Sequence, residues 1–286
     1  MDQSIIRLYD EYTHAPLPRR VFLARLAQLT GGAAAAMALL PILENRYAHA
    51  ALVAENDPRL AISTVDIPVE GRKLSGYLAK PAGLSDIPSV LVIHENRGLN
   101  PHIKDVTRRL ALEGFVTLGL DALSPQGGTP ENEDAAREMI GKLDATANLE
   151  NYIAAVDWLS DNPSGNGMAG CVGFCWGGGM ANQLAIWAEN LDAAVAYYGK
   201  PLTKAEAPNV NVPLLLHYAG LDDRINAGIP EFEEALKAKK RKFTIHMYDG
   251  VNHAFNNDTN EARYNKEAAD LAWGRTVEFL KGRLKV

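Results

Sequence analysis

Gly173-Phe174-Cys175-Trp176-Gly177-Gly178-Gly179 constrains this chain more than any other segment of it. An apolar run, Met168 to Gly173, leads into it with the look of a buried strand, and an amphipathic stretch, Gly178 to Glu189, leads out of it with the spacing of a helix. A sharp strand-to-helix turn needs flanking glycines, because a Cβ there collides with the neighbouring strand and helix, and it forces the central residue into a strained backbone conformation. Cys175 at the tip then sits at a helix amino terminus, where the macrodipole and free N–H groups favour a thiolate and any oxyanion beside it. A phosphate loop is the rival reading of the glycines, but no Lys-Ser/Thr pair follows them and no acidic residue stands where a dinucleotide site needs one.

From Leu60 onward, short apolar or β-branched runs alternate with longer amphipathic stretches, which predicts an α/β fold: a mostly parallel sheet of about seven to eight strands flanked by helices. Ala61 to Pro68 and Lys73 to Ala79, separated by Glu70-Gly71, read as an antiparallel edge hairpin. Ser89 to His94, Val116 to Leu120, Met168 to Gly173, Ala193 to Tyr198, Pro213 to Tyr218 and Phe243 to Tyr248 read as buried strands. Helices are expected over His102 to Glu113, Asn132 to Leu143, Leu149 to Leu159, Gly178 to Glu189, Pro230 to Lys239 and Glu261 to Arg283.

The first fifty residues differ from the rest. Arg19-Arg20-Val21-Phe22-Leu23 precedes an uncharged run from Leu26 to Leu43, and Ala48-His49-Ala50 supplies small residues where a signal peptidase cuts. Residues 1–50 therefore read as a signal-like helix for twin-arginine export machinery, removed after Ala50 to leave a periplasmic domain of residues 51–286. The run is too polar for a permanent anchor, carrying Gln28, Thr30 and Pro41. The competing reading is a helix retained in the mature chain, packed on the core or on a second subunit of a cytoplasmic protein.

A formal charge of -6 with no basic block argues against nucleic acid as a partner. Two cysteines, Cys171 and Cys175, are too few and too close for a disulfide scaffold. No spaced ligand motif exists, so neither a metal nor a cofactor is expected. Cys171, inside the strand, reads as a small buried hydrophobe.

A thiol at such a turn needs a base and a group to orient it, in the chain order nucleophile, acid, histidine. Asp222 follows the strand Pro213 to Tyr218, and His253 follows the strand Phe243 to Tyr248. Both thus leave the carboxyl ends of strands, where sites of open α/β sheets gather. Asp223 is the alternative acid. Of the seven histidines, His217 and His246 lie within strands as core residues, His14 and His49 fall in the signal-like segment, His102 opens a predicted surface helix, and His94 ends a strand.

These residues together resemble the dienelactone hydrolase family of α/β-hydrolases, in which cysteine replaces the commoner serine. The likeness runs from about Ile67 to Leu280 and includes Val92-Ile93-His94-Glu95-Asn96-Arg97-Gly98-Leu99-Asn100, Gly114-Phe115 through Asp121, Ala196-Tyr197-Tyr198-Gly199, and His217-Tyr218-Ala219-Gly220 with Asp222. It implies Cys175 as nucleophile, His253 as base and Asp222 as its orienting acid. Glu95 would hold the resting thiol protonated and take its proton when substrate enters; on the residues alone, Glu95 could equally be a surface carboxylate or a salt-bridge partner of Arg97. The backbone amides of Asn96 and Trp176 would form the oxyanion hole. Family lactonases hold a substrate carboxylate with two arginines; Arg137 matches the first, while Asn257 stands at the second, and Arg97 or Arg224 are candidate substitutes that the sequence does not place in the pocket. Trp176, Tyr198 and Phe255 are candidate pocket walls. The expected activity is cofactor-free hydrolysis of a small ester or lactone through an acyl-enzyme. A non-catalytic binding module and a thiol redox couple of Cys171 and Cys175 are the alternatives.

Overall fold

The computed structural model describes residues 1–47 and 51–285. In chain order the elements are α1 (Gln3–His14), α2 (Arg19–Thr30), α3 (Ala33–Leu43), β1 (Leu60–Val69), β2 (Arg72–Pro81), β3 (Ile87–Ile93), α4 (Pro101–Leu112), β4 (Val116–Leu120), α5 (Glu133–Gly141), α6 (Ala145–Ser160), β5 (Gly165–Phe174), α7 (Trp176–Trp187), β6 (Ala193–Tyr197), β7 (Leu214–Ala219), α8 (Asp223–Asn226), α9 (Ile229–Ala238), β8 (Phe243–Tyr248) and α10 (Lys266–Leu284).

The eight strands form one sheet in the order β1-β2-β4-β3-β5-β6-β7-β8. β1 and β2 are the expected antiparallel hairpin, closing on Val69 opposite Arg72, and β3 to β8 run parallel. Apolar side chains leave both faces of the parallel strands. Leu91, Cys171, Ala194 and Leu216 pack with α6, α7 and α9 on one side, whereas Val90, Val172, Val195 and Leu215 pack with α4 and α10 on the other. Cys171 is thus the buried packing residue its strand position predicts. The chain steps from β3 to β4 in one direction and from β3's other edge continues into β5, so the crevice between the carboxyl ends of β3 and β5 is the switch point of the sheet.

Helix ends deviate from the predicted spans where side chains cap them. Asp144 accepts from the Ala147 amide and starts α6 several residues before Leu149. Asn265 caps α10 in the same way, so that helix begins at Lys266 rather than Glu261, and the residues before it form turns.

Residues 1–47 are three helices packed on the domain. Tyr9 and Tyr12 of α1, Phe22 and Leu26 of α2, and Leu40 and Leu43 of α3 form their own buried cluster. The uncharged run expected to be one leader helix is two, bent by 110° at Gly31, whose φ of 81° permits the turn. Among the described residues no single helix is long and apolar enough to cross a membrane. The expected cut site, Ala48-His49-Ala50, lies outside the described residues.

Candidate active site

The turn at Cys175 is as tight as its glycines require. Cys175 has φ 54° and ψ -113°, and its carbonyl accepts from the amides of Gly178 and Gly179. A Cβ on Gly173 would lie 2.0 Å from the Gly177 carbonyl oxygen, and one on Gly177 would lie 2.4 Å from that of Ile93. α7 therefore starts at Trp176, immediately after the thiol, and not at Gly178.

The carboxyl ends of the parallel strands deliver the other groups: Glu95 and Asn96 after β3, Tyr198 after β6, Asp222 after β7 and His253 after β8. His253 Nδ1 is 2.5 Å from Asp222 Oδ2, with both side chains buried. Asp222 also caps α8, whereas Asp223 is exposed and faces Arg7, so the carboxylate paired with His253 is that of Asp222. Cys175 Sγ and a nitrogen of His253 lie within 4.8 Å of each other. Cys175, His253, Asn96 and Trp176 share the wall of one open cavity of about 1120 Å³ with Tyr198 and Arg137.

A third ionisable group reaches the sulfur from an unexpected direction. His14, at the end of α1, places Nε2 3.2 Å from Cys175 Sγ. Its ring meets that of His253 edge-on, with centroids 4.6 Å apart. Burial alone pushes the Cys175 thiol up, but the two imidazoles more than offset it and bring it down to about 6. Burial also opposes charge on His253, yet Cys175 and Asp222 raise it to about 10. His14 is raised too, against its burial, by Cys175 and Asp10, and His253 holds the Asp222 carboxyl low despite burial. The favoured state is a thiolate beside imidazolium. A ring nitrogen of His14, the Cys175 sulfur and a ring nitrogen of His253 all lie within 4.8 Å of one another.

Glu95 is held by partners other than the thiol. It is buried, but its carboxylate accepts from Tyr198 Oη at 3.3 Å and from Asn257 Nδ2 at 2.8 Å, and no hydrogen bond among the described residues joins it to Cys175. Arg97 pairs with Glu133 and Tyr9 rather than with Glu95, and stands away from the cavity. Arg137 lines the cavity with its guanidinium stacked on Tyr12, donating to the Tyr12 carbonyl. Arg224 also lines it.

Of the aromatic candidates, Trp176 and Tyr198 line the cavity. Phe255 does not: fully buried, it packs edge-on against Tyr198 from behind. His94 is structural, stacked on Trp176 and bonded through its two nitrogens to the Glu95 carbonyl and the Ala122 amide. His217 is the satisfied core residue expected, held by Tyr248 and Thr276. His102, expected on a surface helix, is buried with Nδ1 3.0 Å from Asp258. Sequence reading missed His14 and Asp10 because they lie in the segment assigned to export; the one available signal was their four-residue spacing, which puts both on one helix face.

Residues 74–284 match the family model described as the dienelactone hydrolase family. The chain belongs to that family. It is 32% identical over 256 residues to a Saccharolobus solfataricus protein named "Putative carboxymethylenebutenolidase", covering 74% of this chain and 95% of that one. Among solved structures it superposes with a TM-score of 0.70 at 27% identity on one titled "Putative Dienelactone Hydrolase" from Klebsiella pneumoniae, covering 77% of this chain and 97% of the other. The dienelactone hydrolase of Anabaena variabilis gives 0.61 at 25% identity, covering 79% and 99%. The protein is an ester or lactone hydrolase with the α/β-hydrolase fold.

Proposed function

We propose that this hydrolase works through a Cys175-His253-Asp222 triad and a thioester acyl-enzyme. The carrying observation is the buried Asp222-His253 pair set against a thiol at a helix amino terminus in the same cavity. The Cys175 thiolate attacks the acyl carbon, forming the C–S bond while the carbonyl electrons move to oxygen, and the amides of Asn96 and Trp176 receive that oxyanion. Collapse breaks the C–O bond, and the alkoxide takes the proton from His253 Nε2. Neutral His253 then takes a proton from water, whose oxygen attacks the thioester; the C–S bond breaks and thiolate and acid product separate. Asp222 holds the imidazole in one orientation throughout.

The substrate is a small ester or lactone in which a carboxylate is dispensable. A two-arginine clamp lacks its second member, since Asn257 is committed to Glu95, and Arg137 is engaged by the Tyr12 carbonyl and by Asp134. Bidentate, charge-assisted recognition is weakened accordingly. A redox couple of the two cysteines is disfavoured by spacing: four residues along a strand separate them by about 13 Å, against roughly 6 Å for a disulfide. Cys171 is moreover pushed up to about 12 by burial.

The test is turnover of an activated acyl ester and of lactones with and without a carboxylate, by the wild-type protein and by Cys175→Ala. Loss in the variant by about a thousandfold or more, with the two lactone sets within about tenfold of each other in wild type, is expected. Equal rates in both proteins would remove Cys175 as nucleophile.

A further inference from the structure

Asp10 and His14 sit one turn apart on α1 and bring a second Asp-His pair to the sulfur, beside that of Asp222 and His253. His14 Nδ1 is 2.9 Å from the Asp10 carbonyl oxygen and 3.0 Å from Asp10 Oδ1, which turns Nε2 toward Cys175 Sγ at 3.2 Å. Two Asp-His pairs thus converge on one thiol. Arg224 links them, lying 3.5 Å from Asp10 Oδ2, 3.5 Å from His253 Nδ1 and 4.0 Å from Asp222 Oδ1.

The helix ends are matched in sign. His14 ends α1, where the carboxyl-terminal partial charge favours a cation, and Cys175 begins α7, where the amino-terminal partial charge favours an anion.

The same segment shapes the rest of the site. Asn96, which lines the cavity, donates its side chain to the Thr13 carbonyl at 2.8 Å, and Arg137 donates to that of Tyr12. Tyr12 to Leu17 form one wall of the cavity. Arg19, a member of the basic pair that suggests export, holds the helices down through Glu44 at 2.9 Å and Asp134 at 3.1 Å.

We propose that His14 is a catalytic residue of this hydrolase, a second imidazole that holds the Cys175 sulfur as thiolate, and that α1, α2 and α3 are a resident cap of the working enzyme and not a leader removed from it. The proposal rests on Cys175 being the nucleophile. The ionisable groups facing His14 are Asp10 on its own helix, Cys175 on α7, His253 after β8 and, through Asp10, Arg224 on α8.

The test follows alkylation of Cys175 by iodoacetamide from about pH 4 to about pH 10 in the full-length protein and in His14→Gln, Leu26→Ala and His253→Gln, with peptide mass mapping to separate Cys175 from Cys171. The midpoint expected in wild type is near 6. In His14→Gln it rises by about one to three pH units, because a cation beside the sulfur has been removed. Leu26→Ala loosens the cluster that seats α1 and is expected to raise the midpoint no further than His14→Gln does. Superposed wild-type and His14→Gln profiles, or a larger rise in Leu26→Ala than in His14→Gln, would overturn the role of the imidazole. A wild-type midpoint at the ordinary thiol value would do the same. Failure of the nucleophile reading shows separately, as turnover retained by Cys175→Ala. Peptide mapping of the protein from its native host is expected to recover residues 1–47 with the rest of the chain; a chain that starts at Ala51 lacks His14 and sinks the proposal.

Discussion

Asn257 Nδ2 donates to Glu95 Oε2 at 2.8 Å, with both residues buried. Asn257 Oδ1 accepts from the amide and the hydroxyl of Thr259, so both ends of the side-chain amide are engaged inside the protein.

Replacing Asn257 with leucine leaves the Glu95 carboxylate one donor short in a buried place. A buried acceptor stripped of its partner costs about 1 to 3 kcal/mol. Urea unfolding at neutral pH should register a loss of that size with an unchanged m-value, and a variant as stable as wild type would show that water replaces the amide without loss.

Asp222→Asn tests the orienting acid. The amide can still reach His253 but favours the wrong tautomer, and kcat is expected to fall by roughly 10³- to 10⁴-fold with KM little changed. A loss of less than tenfold would mean that Asp222 only caps α8.

The pH profile follows from the signs of the shifts. The thiol is an acid moved down to about 6, so its thiolate survives to lower pH than an ordinary cysteine and is lost as pH falls through that value. His253 is a base moved up to about 10, so its proton persists to that pH and is lost above it. The kcat/KM profile should therefore be flat between these limits, fall about tenfold per pH unit on the acid side, and decline on the alkaline side as the leaving alkoxide loses its proton donor. An acid limb near about 8.5 would indicate an unperturbed thiol.

Much of the site was legible because chain order and strand ends are local properties. Apolar runs located the strands, the glycines around Cys175 announced a turn whose sterics admit nothing larger, and Asp222 and His253 each follow a strand within a few residues. Phe255 was misplaced because aromatic character does not reveal which side of a loop faces the cavity; it supports Tyr198 from behind. His102 was misplaced for a similar reason, since its helix is covered at that end by Asp258. Glu95 was located correctly at the end of β3, but its partners, Tyr198 and Asn257, come from 103 and 162 residues away.

The α/β architecture, the hairpin at its edge and the strained cysteine turn each depend on periodicity or on steric limits within a few residues, and so can be read from the chain alone. Which groups surround the thiol depends on how distant elements pack. His14 reaches Cys175 across 161 positions of chain, and a segment with the layout of an export leader closes over the cavity because the apolar faces of α1, α2 and α3 bury one another while Asp10, Thr13 and Arg19 find partners on the domain below. Pairings of that kind depend on packing between distant elements, which no local pattern encodes.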